Sequence, residues 1–135
     1  MASELTNQAV YYDERGNKLN ILSTSVSYTV TAGTVGDQAT PIVAAVVGKK
    51  IRVLSMALSS SINGPSCYLK SGTGAGSIQI SELILRNIQG SLQALNYQRS
   101  AYYPIYLYQT EVGKALVLNA SAAGTASVQV VYVLV

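Results

Sequence analysis

From Ser25 onward, apolar and polar residues alternate one for one. Val26, Tyr28 and Val30 share one side of the backbone, and Ser25, Ser27, Thr29 and Thr31 share the other. Period two belongs to extended chain, because successive side chains of a strand point to opposite faces. The run breaks at Ala32-Gly33-Thr34-Val35-Gly36-Asp37, read as a loop, and strand-like segments follow at Ile42–Val47, Ile51–Ser59, Ser66–Ser71 and Ala101–Tyr108. Gly48-Lys49-Lys50, Asn63-Gly64-Pro65 and Gly72-Thr73-Gly74-Ala75-Gly76 separate them with turn chemistry. Ala115–Asn119 and Ser127–Leu134 read as a pair across Ala120–Thr125.

Ser77–Leu95 supports two readings. Leu83, Ile84, Ile88 and Leu92 could line a helix starting near Ser81, whereas β-branched content and the Asn87-Ile88-Gln89-Gly90 break favour strands at Ile78–Leu85 and Ser91–Leu95. With strands there, the total is about eight at regular spacing with almost no helix. The expected fold is all-β: a single antiparallel β-sandwich, jelly-roll-like, spanning residues 25–135. Residues 1–24 are expected to form an N-terminal arm. Val10-Tyr11-Tyr12-Asp13 and Lys18-Leu19-Asn20-Ile21 flank Glu14-Arg15-Gly16-Asn17 and read as a small hairpin within it. Val47-Gly48-Lys49 and Val112-Gly113-Lys114 are similar Gly-Lys turns, each feeding a strand.

Charge narrows the function classes. Nine basic and six acidic residues make up 11% of the chain, against about 25% in an ordinary soluble domain. A small domain has much surface for its volume, and charged side chains normally keep that surface wetted. So poor a supply implies an exterior covered over much of its area. The ten aromatic residues are all tyrosine, whose ring packs on apolar surface while its hydroxyl bonds a partner. The expected role is an assembly subunit.

Catalysis is not expected. The chain has no histidine, and so lacks the commonest general base and metal ligand. Its carboxylates Glu4, Asp13, Glu14, Asp37, Glu82 and Glu111 are dispersed, so no metal or cofactor site is expected. Asp37 and Glu111 could serve a glycosidase only if folding joined them. The Gly72-x-Gly74-x-Gly76 run lacks the Lys-Ser/Thr ending of a phosphate loop. Scattered Lys and Arg, with a net charge of +3, argue against nucleic acid. No apolar run is long enough for a membrane helix, and the polar N-terminus lacks a signal peptide's pattern, so synthesis in the cytoplasm is expected. Cys67, the one cysteine, reads as a buried, inert thiol.

Two segments point to partners. Alternation in Ala101–Tyr108 places Tyr102, Tyr106 and Tyr108 beside Pro104 on one face of an edge strand. They read either as a ridge gripping a protein or a sugar ring, or as tyrosines replacing phenylalanine in the core. In the last strand Val128, Val130, Tyr132 and Leu134 take one face, while Val131, Val133 and Val135 lie on the other. A strand apolar on both sides needs cover on both, from another subunit or from the N-terminal segment; those three valines are the expected subunit interface of a homo-oligomer, with a trimer favoured.

Val46-Val47-Gly48-Lys49-Lys50-Ile51-Arg52-Val53-Leu54-Ser55 with Lys70-Ser71-Gly72, then Thr110–Ala122 and Val130-Val131-Tyr132, resemble small β-sandwich structural proteins of tailed bacteriophages, including capsid decoration (cement) proteins. The resemblance covers Ile42 to Val135. It implies a virion protein that binds the major capsid protein, or another virion protein, and clamps neighbouring subunits. Tyr11, Tyr12 and Arg15 of the arm hairpin are then the residues expected to reach the shell. The alternative is a receptor- or carbohydrate-binding module of a phage fibre, with the tyrosine ridge as its platform.

Overall fold

Half-burial of a strand requires a second layer, and this chain supplies it by pairing its early strands with its late ones. A computed structural model describes residues 11–12, 15–60, 67–81, 93–98 and 106–135. Strands β1 (Tyr11–Tyr12) and β2 (Lys18–Leu19) form the arm hairpin, in the register Tyr11↔Leu19 and Tyr12↔Lys18. Next come β3 (Leu22–Val30), β4 (Gly36–Asp37), β5 (Ile51–Ser60) and β6 (Cys67–Ser71). The remainder are β7 (Ile78–Gln79), β8 (Gln93–Gln98), β9 (Tyr108–Gln109), β10 (Leu116–Ala120) and β11 (Gly124–Leu134).

Two antiparallel sheets result. One runs β3-β11-β5-β8, with β9 also on β5, and the other runs β4-β10-β6-β7. The pairing is nested: β3 meets β11, β4 meets β10, β5 meets β8 and β6 meets β7. A long hairpin rolled over on itself in this way is a jelly roll, which is the expected architecture.

The core lies between the sheets. Buried Tyr28, Val30, Ile51, Val53, Met56, Leu58 and Val128 from one sheet face Cys67, Leu69, Leu116 and Leu118 from the other. Three buried hydroxyls satisfy backbone donors that the ladders leave unpaired. Thr110 Oγ1 accepts from Ile51 N at 2.9 Å, Ser81 Oγ from Leu69 N at 2.7 Å and Ser71 Oγ from Glu111 N at 2.8 Å. Cys67 is fully buried as expected, and burial pushes its thiol up to about 12.

Four expectations need correction. Ile42–Val47 is not a strand. Val43 makes one bridge to Leu116, after which Val46 opens a tight turn that leaves Val47 96% exposed. Gly36–Asp37, read as loop, is a short strand on β10. The last two long strands do not pair with each other: β10 and β11 belong to opposite sheets, and Ser121–Ala123 carries the chain across. Strict alternation also fails in β5. The register to β11 slips between Val131 and Tyr132, so Ile51 and Val53 face the core and, beyond the bulge, Met56 and Leu58 do.

Within Ser77–Leu95, both described ends are strands, β7 and β8, while residues 82–92, like the Asn63-Gly64-Pro65 turn, lie outside the described residues. The Gly48 and Gly113 turns are alike in structure as well as sequence. Each glycine has a positive φ, 75° and 72°, and Gly113 N donates to Lys49 O at 2.8 Å.

Candidate functional site

Over most of β3, β11 and β5, the outer face of the five-stranded sheet is built from uncharged side chains. Outward positions of β3 are Ser23, Ser25, Ser27 and Thr29, all exposed. Across the ladder these meet Val131, Gln129, Ser127 and Thr125 of β11. Ser55, Ala57 and Ser59 of β5 continue three of the rows, opposite Val131, Gln129 and Ser127. The rows therefore read Ser27-Ser127-Ser59, Ser25-Gln129-Ala57 and Ser23-Val131-Ser55, with Ser27 and Ser127 hydroxyls 3.3 Å apart. Such side chains leave a nearly flat plane, with a shallow depression of about 250 Å³ around Ala57 and Gln129.

Charge returns only at the foot of this sheet. There Val133, Arg52 and Gln109 lie in one row across β11, β5 and β9. The Arg52 guanidinium sits 4.9 Å from the Tyr106 ring centroid and donates to Gln109. Val133 is only 1% exposed within the single chain, while Val131 and Val135 are half-buried. Of the three valines expected at a subunit interface, two therefore have surface to offer.

The tyrosines are placed differently from one another. Tyr106 lies under Arg52, and Tyr108 packs against the core with Leu107. Tyr102 falls outside the described residues, as do Asp13 and Glu14 of the arm turn. Arg15 is exposed beside Gly16, on the hairpin whose strands carry Tyr11 and Tyr12.

The opposite sheet carries the described ion pair. Lys70 Nζ lies 2.8 Å and 3.0 Å from the two Asp37 carboxylate oxygens. Asn119 Nδ2 donates to the same carboxylate at 2.6 Å and Gly74 N at 3.1 Å. Burial alone would raise the Asp37 carboxyl, but these donors and the Lys70 charge outweigh it and hold it below 3.8. Asp37 is thereby kept ionised, which suits a clamp across β4, β10 and β6 and not a proton donor. Glu111 is exposed in the Gly113 turn. Among the described residues, no three His, Cys, Asp or Glu side chains converge on a metal-sized site.

A cleft of about 500 Å³ runs between β3 and the following loop, lined by Val26, Tyr28, Thr34, Val35, Gln38 and Thr40 among others. Tyr28 spans it, donating to Thr40 O at 2.8 Å, and burial pushes that phenol up to about 12. Gln38 closes the loop by donating to Thr34 O and Gly36 O. Sequence reasoning assigned Ser25, Ser27 and Thr29 to one face but not the plane they join. The signal was present: the outward positions of β3 and β11 contain no charge.

Comparison with solved structures finds similarity to a chain described as "Cyanophage Pam1 capsid asymmetric unit". The TM-score is 0.41 and the identity 17%, over 98% of this chain and 96% of that one. No protein-family model matches the chain, and no curated protein matches it in sequence.

Proposed function

We propose that this chain is a non-enzymatic structural protein of a bacteriophage virion, binding the assembled head shell as a capsid decoration protein does. The observation that carries the reading is the uncharged outer plane of β3, β11 and β5. A water-facing sheet normally alternates apolar residues with Lys, Glu or Arg, which resist association. Here those outward positions are Ser, Thr, Ala, Gln and Val, so the plane can be covered by protein without burying an ion. Jelly rolls serve both viral capsids and lectins, and the fold alone does not choose between them. A sugar platform needs open aromatic faces, whereas Arg52 already occupies one face of Tyr106.

In this reading the partner is the major capsid protein or another virion protein. The module works by surface burial repeated over many copies, with Tyr11, Tyr12 and Arg15 of the arm and the exposed parts of Val131 and Val135 as secondary contacts. The test is binding of purified protein to particles assembled without it, followed by imaging. Wild type is expected to occupy symmetry-related positions saturably. Gln129→Lys, which puts an ammonium at the centre of the plane, is expected to bind at least about tenfold more weakly. Absence of wild-type attachment, or equal attachment of Q129K, would overturn the proposal.

A further inference from the structure

We infer that the two Gly-Lys turns at the foot of the plane dock into an acidic-rimmed apolar hollow of the shell protein, and so fix which way the module is turned. The inference rests on the virion reading above and adds the chemistry of the partner. The first turn, Val46–Lys49, is closed by Lys49 N donating to Val46 O at 3.0 Å. The second, Glu111–Lys114, is closed by Lys114 N donating to Glu111 O at 3.2 Å. In each the positive-φ glycine stands third, as a type II turn requires, and a valine takes the corner before it. The turns lie side by side, since Gly113 N donates to Lys49 O at 2.8 Å. Turn corners favour Pro, Asp, Asn or Ser, yet here Val47 is 96% exposed and Val112 54%. One exposed apolar side chain is ordinary; a pair of them within a charged rim marks a contact surface.

Charge identifies the occupant. Lys49, Lys50 and Lys114 stand in or beside these turns against one carboxylate, Glu111, which leaves +2 (three minus one). Among the described residues none of the three lysines makes an ion pair, and Asp37 is already taken by Lys70. Lys50 also joins the turns to the plane. It exchanges backbone hydrogen bonds with Val135, at 2.7 Å and 3.0 Å, one step beyond the Ile51–Leu134 pair of β5 and β11. Along β5 the plane therefore ends in Arg52, then Lys50, then the first turn. A partner that covers both is neutral over the rows of serine and acidic where it meets their foot.

The geometry favours protein over lipid as that partner. Helices that lie in a membrane surface anchor through Trp, Phe or Leu, whereas the corners here are valines. Valine is stiff at χ1, so it loses little freedom on entering a shaped hollow. The turn bonds and the contact between Gly113 and Lys49 hold both corners in place before the partner arrives. Such preorganisation lowers the cost of binding.

The experiment is attachment of the full chain to particles assembled without it, from about 50 to about 500 mM NaCl. Wild-type affinity should fall at least about tenfold over that range, because salt screens exposed charges. Lys49→Glu with Lys114→Glu should bind at least about tenfold more weakly at the low end and lose most of the salt dependence. Val47→Ser with Val112→Ser should weaken attachment at least about tenfold at every salt concentration. Glu111→Gln, which removes the carboxylate from the turns, should tighten it. All five positions are exposed, and unchanged circular dichroism and melting separate lost contact from lost fold. Should the glutamate pair fold poorly, Lys49→Gln with Lys114→Gln tests the same charge. Salt-independent attachment of wild type, or either double variant attaching like wild type, overturns the inference and leaves the virion reading standing. So does binding of phosphatidylserine vesicles or duplex DNA that these variants abolish. No wild-type attachment at any salt removes the virion reading, and the inference with it.

Discussion

The two sheets of this sandwich are finished for different surroundings. The outer face of the β4-β10-β6-β7 sheet carries Asp37, Lys70 and Asn119, which bond one another across three strands. Across β3, β11 and β5 the outer face of the five-stranded sheet carries rows of Ser, Thr, Ala, Gln and Val, with Arg52 at its foot and a hydroxyl contact between Ser27 and Ser127. Both sheets share one core. The difference lies in which polar groups were placed outward: a charge network holds the first sheet to itself, and short neutral groups leave the second open to cover. The two faces are thus unequally dressed, and that inequality is the feature that bears on role.

Four measurements would break or sharpen that comparison. The largest effect belongs to what the sheets share. Leu118→Ala, at a fully buried core position, should cost about 2–5 kcal/mol by chemical denaturation. A smaller cost would mean that the layers are not closely packed. Next comes the charged face. Asp37→Ala should cost about 1–3 kcal/mol, because Lys70, Asn119 and Gly74 lose their common acceptor. A neutral outcome would reduce the network to surface decoration.

The same group fixes a pH dependence. Its folded-state value lies below 3.8, so ionised Asp37 stabilises the fold above the unfolded value. That contribution disappears as pH falls through the lower, folded value. Melting temperature should therefore drop in acid more steeply for wild type than for Asp37→Asn; parallel curves would contradict the assignment. The smallest effect is expected on the neutral face. Ser127→Ala should leave stability within about 0.5 kcal/mol, since only a long hydroxyl contact is lost. A large loss would show that the plane is a structural element of the monomer, not a surface held for a partner.

Much of the fold was legible because period two is a local property. Val26, Tyr28 and Val30 face inward as their spacing requires, and the Arg15-Gly16-Asn17 turn joins β1 to β2 as its residues suggest. Misreadings arose where something distant intervened. Ile42–Val47 has strand composition, yet the turn beginning at Val46 ends it. The Ser121–Ala123 link looks like a hairpin loop, yet it bridges two layers. Val133 looked like surface, but it is 1% exposed within the single chain, in the row with Arg52 and Gln109. The candidate site was half visible: its outward serines could be assigned to a face, but their neighbours could not.

Taken alone, the order of residues settled that this chain forms strands, which side of each strand is wet and how little charge is available for the outside. Each of these follows from backbone geometry or from composition, and needs no knowledge of what lies across the ladder. Only the folded molecule decided that β3 lies against β11, almost the whole domain away, and that Asp37 reaches Lys70. Strand pairing is a contest among many distant partners of similar local chemistry. It is resolved by how well the entire set of layers closes over one core, which no short stretch of sequence encodes.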